Sequence, residues 1–181
     1  MRIVLTGMKH CGKTTAGKLL AKTMNCQFAD TDDLVETLYQ QSYGEKLNCR
    51  EIFTQHGGDF FRALELEAVQ QLQSGLQPKS RVIGLGGGLP MNPTARQILP
   101  KLGSLVYLKV EPEMIFKRIE KNGFPPFIDA QRPFESFMES FQEREKIYEE
   151  LAEFTVVCSG NDTPKQNLER IINELKINRT K

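Results

Sequence analysis

Short apolar runs alternate with longer stretches of helical periodicity along the chain. Arg2-Ile3-Val4-Leu5-Thr6 leads into a helix reaching about Met24, and Gln27-Phe28-Ala29-Asp30 leads into another from Asp32. Arg81-Val82-Ile83-Gly84-Leu85, Ser104-Leu105-Val106-Tyr107-Leu108-Lys109 and Phe154-Thr155-Val156-Val157-Cys158 bring the predicted strands to five. Phe61, Leu64, Ala68 and Leu72 recur at spacings of three and four, the period of a helix with one apolar face. Strand alternating with helix predicts an α/β protein with a five-stranded parallel sheet covered on both faces, hence a three-layer α/β/α sandwich. In such a sheet ligands bind outside the carboxyl ends of the strands, so chemistry is expected in the loops that lead into helices.

Asn122-Gly123-Phe124-Pro125-Pro126-Phe127 interrupts helical continuity with a glycine and two prolines, and reads as a lid segment at about 121–134. The polar, basic end from Lys176 to Lys181 reads as an ordinary fraying terminus. A chain of 181 residues can bury a continuous core but is short for two domains and a linker, so one domain over 1–181 is expected.

Charge and composition narrow the partners. Lys and Arg number 24 against 23 Asp and Glu, and a net charge of +1 supplies no field that draws a protein to nucleic acid or to anionic membrane. No apolar run approaches the roughly 20 residues that span a bilayer, and the first strand enters a glycine turn with no signal-peptide hydrophobic region. A cytoplasmic protein with a small-molecule partner is expected. Cys11, Cys26, Cys49 and Cys158 form neither a CxxC pair nor a zinc spacing, and read as thiols in a reducing compartment. The absence of a long hydrophobic stretch beyond the core helices is compatible with a monomer.

Gly7-Met8-Lys9-His10-Cys11-Gly12-Lys13-Thr14 fits G-x-x-x-x-G-K-[ST], directly after the first strand and before a helix whose apolar face carries Ala16, Leu19, Leu20 and Met24. In this P-loop pattern the glycines let successive N–H groups point at phosphate oxygens, and the helix N-terminus adds partial positive charge. Lys13 is expected on the β- and γ-phosphates and Thr14 on Mg²⁺. The nucleotide-binding set is Gly7, Lys9, Cys11, Gly12, Lys13, Thr14 and the adjoining Thr15, with His10 and Cys11 in variable positions where loop filler is the plainer role.

Asp30 and Asp32 close the second strand, and residues i and i+2 of an extended chain point the same way. A kinase needs one carboxylate near Mg²⁺ and another to orient the attacking hydroxyl, which suits the pair, although Asp32 also fits as a helix cap. Arg62 has Asp59 and Glu65 three residues away on either side, so a helix ion pair explains it as well as a binding role does. Arg144 has no acidic residue three or four positions away and suits a bidentate clamp on a substrate carboxylate. Gly86-Gly87-Gly88 ends the third strand, either as a flexible turn or as a surface where a ligand touches backbone.

Taken in order, the P-loop, Asp30-Thr31-Asp32, Ile52-Phe53 with Gly57, Phe61-Arg62, the glycine triplet, and Arg144 with Ile147-Tyr148 resemble the shikimate kinase family over nearly the entire chain. The resemblance implies a P-loop NTPase fold of the nucleoside-monophosphate-kinase type and ATP-dependent phosphorylation of shikimate at its 3-hydroxyl. It further implies that Arg62 and Arg144 hold the carboxylate, that the triplet lies close to the ring and that Asp32 binds hydroxyls. Asp30 would assist Mg²⁺ largely through water, and Arg118 would pack against adenine. One departure stands out: the family lid carries Arg-Pro-Leu-Leu where this chain reads Pro125-Pro126-Phe127-Ile128. Either another cation substitutes, or turnover is slow, or the acceptor differs. Arg132, in the same stretch and also before a proline, is the nearest candidate for a catalytic replacement, with Lys121 second; the plainer reading leaves Arg132 in solvent. A kinase for another hydroxy acid of the gluconate kind, and an ATP-binding regulator without turnover, are the competing functions; the paired aspartates count against the regulator.

Overall fold

A computed structural model describes residues 1–74, 81–125 and 128–177. Among them β1 (Arg2–Thr6), β2 (Gln27–Asp30), β3 (Arg81–Gly84), β4 (Ser104–Val110) and β5 (Phe154–Cys158) form one parallel sheet in the order β2-β3-β1-β4-β5. The predicted strands are all present, with edges displaced by a residue at Leu85 and Val110.

The strands read as near-continuous apolar runs because both faces are buried, as in parallel sheets generally. Ile3 and Leu5 of β1, Val82 of β3 and Val106 and Leu108 of β4 join one core. That core is completed by α1 (Lys13–Thr23), α6 (Pro112–Asn122), α7 (Pro133–Leu151) and α8 (Pro164–Ile177). The intervening Val4, Ile83 and Leu105 enter a second core with α4 (Gly58–Gln73) and α5 (Pro93–Leu102). Beside it, α2 (Thr31–Tyr43) and α3 (Cys49–His56) pack on α4 through Val35, Tyr39, Ile52 and Ala68. The result is the α/β/α sandwich that the periodicity predicts.

Local signals set the helix ends near the site. α3 starts with a capping box, in which the Asn48 side chain accepts from the Glu51 N–H while Glu51 accepts from the Asn48 N–H. α2 begins at Thr31 rather than Asp32, and its cap is Asp30, whose Oδ1 accepts from the Asp32 N–H at 3.1 Å. Capping by Asp32 is therefore corrected: the second strand ends one residue before the helix starts, so the carboxylate at the boundary is Asp30. The chain leaves β1 into α1 on one face of the sheet and leaves β3 toward α5 on the other, and this divergence of neighbouring strands opens a crevice at their carboxyl ends.

Between α6 and α7 lies the segment expected as a lid; Pro126 and Phe127 fall outside the described residues, as do 178–181 of the expected fraying end. Phe124 stacks near Phe116, Ile128 is buried in the larger core, and Arg50 of α3 donates to the Phe124 carbonyl. The described part of the loop thus lies against α3.

Candidate active site

The crevice holds two adjoining pockets. The first is built on the P-loop and lined by Lys9, His10, Gly12, Lys13, Thr14, Thr15, Asp30, Asp32, Leu85, Gly87 and Arg118. Its backbone enters left-handed territory at Gly7 (φ 139°), His10 (φ 66°) and Gly12 (φ 101°). A Cβ on Gly7 would also stand 2.8 Å from the Leu108 carbonyl oxygen, so nothing larger fits. Lys13 Nζ donates to the Gly7 and Met8 carbonyls at 2.8 and 2.9 Å, with the weak acceptor Cys11 Sγ at 3.7 Å, so its third proton is the one a phosphate oxygen would take. Cys11 points its side chain into the core, and its N–H bonds to the Met8 carbonyl. What Cys11 presents to the loop is its backbone, which suits the plainer reading of loop filler. Arg118 donates to the His10 and Gly160 carbonyls at 2.9 and 2.7 Å, which pins it at the outer wall of this pocket.

Thr14 Oγ1 donates to Asp30 Oδ2 at 2.8 Å. A hydroxyl and a carboxylate side by side at a phosphate site fit Mg²⁺, which takes hard oxygen ligands, keeps several waters and needs only one or two protein groups beside the phosphates. No group of three or more His, Cys, Asp or Glu suited to a metal occurs among the described residues, which a Mg²⁺–nucleotide site does not require.

The second pocket is lined by Lys9, Asp32, Cys49, Arg50, Phe53, Phe61, Arg62, Glu65, Gly86, Gly87, Gly88, Pro125 and Arg144. Arg62 does both things its neighbours allowed: Nη1 bonds to Glu65 Oε2 at 2.6 Å and to the Gly88 carbonyl at 3.1 Å, while the guanidinium lines the cavity. Glu65 is almost fully buried, and burial raises its pKa against the opposing pull of Arg62. Arg144 is half-buried and hydrogen-bonded to the Tyr148 hydroxyl one turn on; burial works against its charge. Tyr148 in turn donates to the Gly87 carbonyl at 2.6 Å. The triplet is a surface of close approach rather than a flexible turn: a Cβ on Gly86 would collide with Asp32 Oδ1, and those on Gly87 and Gly88 would come within 3.0 Å of the Lys9 nitrogen and 3.1 Å of Arg62 Nη1.

Asp32 sits where the pockets meet. Burial, then the neighbouring Asp30 carboxylate, push its pKa up to about 6. The two aspartates do converge on the site, Asp30 from the last residue of β2, where it also caps α2, and Asp32 from the first turn of α2.

Arg132 is not part of this arrangement. It is exposed at the N-cap of α7, 3.6 Å from Asp129 and 3.7 Å from Glu139, and lines neither pocket. Lys121 is exposed on the last turn of α6 and lines neither cavity. Sequence reasoning did not single out Cys49, Arg50 and Pro125 as pocket residues or Tyr148 as a support, while the ion pair it allowed between Arg62 and Glu65 is present. A helix turn separates Glu65 from Arg62 and Tyr148 from Arg144, a spacing that signals the supports; for the other three no local pattern exists.

Comparison with known proteins places these features in context. The shikimate kinase family profile matches residues 9–176. The chain is 36% identical over 173 residues to a shikimate kinase of Caldanaerobacter subterraneus subsp. tengcongensis, covering 96% of this chain and 92% of that one. Its fold superposes on a shikimate kinase from Acinetobacter baumannii in complex with shikimate with a TM-score of 0.82, at 26% identity, covering 98% of this chain and 93% of the other. The shikimate kinase of Aquifex aeolicus gives a TM-score of 0.76 at 29% identity, with 99% and 98% covered.

Proposed function

The chain belongs to the shikimate kinase family, a family of ATP-dependent kinases, and from that premise we propose that it transfers the γ-phosphoryl group of MgATP to the 3-hydroxyl of shikimate. The observation that carries the reading is the single carboxylate, Asp32, shared between a phosphate pocket and a pocket walled by Arg62 and Arg144. Two guanidiniums suit a small carboxylate, and a carboxylate facing both pockets suits the hydroxyl that must attack.

On this reading the P-loop amides and Lys13 hold the β- and γ-phosphates, and Thr14 and Asp30 hold Mg²⁺, which when bound neutralises charge on those phosphates. Arg62, fixed by Glu65, and Arg144, fixed by Tyr148, orient the acceptor carboxylate. The glycine triplet admits the ring against backbone. Asp32, with a pKa of about 6, is ionised at neutral pH yet basic enough to take the hydroxyl proton as the oxygen attacks. The free thiols at Cys11, Cys26, Cys49 and Cys158 suit a reducing cytoplasm. Among the described residues no helix is long and apolar enough to cross a membrane.

The test is ADP release by the purified protein with MgATP and shikimate, gluconate or no acceptor, repeated with Arg62→Ala. Shikimate-dependent release is expected, with kcat/KM lowered roughly 10- to 100-fold in the variant, the scale of one lost charge-assisted hydrogen bond. Release with gluconate alone would move the acceptor to a sugar acid. ATP binding with no acceptor-dependent release would sink the kinase reading.

A further inference from the structure

A phosphoryl group that leaves one pocket and enters the next must pass residues that line both. Lys9, Asp32 and Gly87 are common to the two cavities, and Lys9 is the cation among them. Its position is set by the fold: it belongs to the P-loop, and a Cβ on Gly87 would stand 3.0 Å from its backbone nitrogen, so the loop and the glycine triplet are locked together there. Lys9 is exposed, and among the described residues no carboxylate lies within ion-pair distance of it.

The other cations have different posts. Lys13 is occupied under the loop by the Gly7 and Met8 carbonyls. Arg118 is tied to the His10 and Gly160 carbonyls at the outer wall. Arg62 and Arg144 line the acceptor cavity alone, as does Arg50, which donates to the Phe124 carbonyl. Arg132, at the N-cap of α7, lies beside Asp129 and Glu139 and lines neither cavity.

We propose that Lys9 is a catalytic residue of the transfer step, its ammonium pairing with the non-bridging oxygens of the phosphoryl group as that group crosses between the pockets. The inference rests on the phosphotransfer reading given above. The bond from the γ-phosphorus to the β–γ bridging oxygen breaks and a bond to the acceptor oxygen forms. The hydroxyl proton goes to Asp32, and ADP leaves with the bridging oxygen and its electron pair. Charge spreads over the non-bridging oxygens during this step, so a cation that meets them only in transit lowers the barrier without tightening ground-state binding. A flexible, strongly hydrated ammonium on a long stem can follow the group.

Lys9→Met keeps the stem and removes the charge. It is expected to lower kcat about 100-fold or more, the scale of one lost transition-state donor, with KM for ATP and shikimate within about threefold, and Lys9→Arg is expected to restore part of the loss. Calorimetry gives a second readout. Affinity for MgADP with fluoroaluminate and shikimate, which mimics the phosphoryl group in transit, should fall at least tenfold in Lys9→Met while affinity for MgADP alone is retained. A kcat within threefold of the parent, a loss confined to the KM for ATP, or an analogue-binding loss that follows Arg50→Ala instead would overturn the role of Lys9 while leaving the kinase reading intact. No shikimate-dependent release by the unsubstituted protein would overturn both.

Discussion

Burial and Asp30 hold the Asp32 carboxyl at a pKa of about 6 instead of its ordinary 3.8, so between those values the folded state binds a proton that the unfolded chain releases. Stability therefore falls as pH rises from about 4 to about 6, and above that range the protein carries a buried charge at a cost of up to about 3 kcal/mol. Activity runs the other way, because only the ionised form accepts the hydroxyl proton: kcat/KM should rise through about pH 6. Asp32→Asn is expected to lower kcat by about 100-fold or more and to raise the thermal midpoint at pH 7. Thermal unfolding of parent and variant at pH 5 and pH 7 checks the sign, since the gain should shrink at the lower pH. A variant less stable than the parent at pH 7 would show that the Asp32 charge is compensated by groups such as Lys9 and Lys13, which oppose the shift.

At the scale of elements, the site depends on α7 being joined to the loop after β3. Tyr148 makes that joint: it is fully buried, donates to the Gly87 carbonyl and bonds Arg144 one turn back. Tyr148→Phe leaves a buried carbonyl without its donor, a loss of about 1–3 kcal/mol. It also frees the Arg144 guanidinium from its orienting hydroxyl. The expected outcome is a lower urea midpoint with an unchanged slope, together with a raised KM for the acceptor and an unaltered KM for ATP. Equal change in both KM values would mean that the P-loop, whose Met8 sulfur lies 3.6 Å from the same hydroxyl, is disturbed as well. Elements far apart in the chain meet through this one ring.

For the molecule as a whole, ligand binding and folding are linked through the crevice. The phosphate pocket draws on the P-loop after β1, α1, the end of β2, the first turn of α2, the loop after β3 and α6, so a nucleotide there bridges segments far apart in the chain. At about 100 times its dissociation constant MgADP should add about 2.7 kcal/mol, which for a chain of 181 residues corresponds to a rise in Tm of roughly 5–10 °C. With EDTA in place of Mg²⁺ the rise should shrink, since Thr14 and Asp30 would then act on the phosphates without the ion between them. A shift indifferent to EDTA would count against that pair as its ligands.

What the sequence by itself determined was everything carried by contiguous residues. Hydrophobic period is local, so the five strands and the sandwich were legible, with edges off by a residue because hydrogen bonding, not composition, ends a strand. The P-loop was legible because its glycines, lysine and threonine act within one turn of chain. Tertiary structure decided the rest. Asp30 and Asp32 needed the true start of α2 before one could be assigned to the cap and the other to the crevice. Arg50, Cys49 and Pro125 became pocket residues only when α3 and the loop after α6 met, and Lys9 became the cation shared by two pockets only when the glycine triplet packed on its backbone. Arg132 shows the converse: proximity along the chain placed it in the lid stretch, while in the fold it is exposed beside Asp129 and Glu139 and lines neither pocket. A side chain's neighbours in sequence constrain its backbone; its charge is spent on its neighbours in space, and those are known only once the chain has folded.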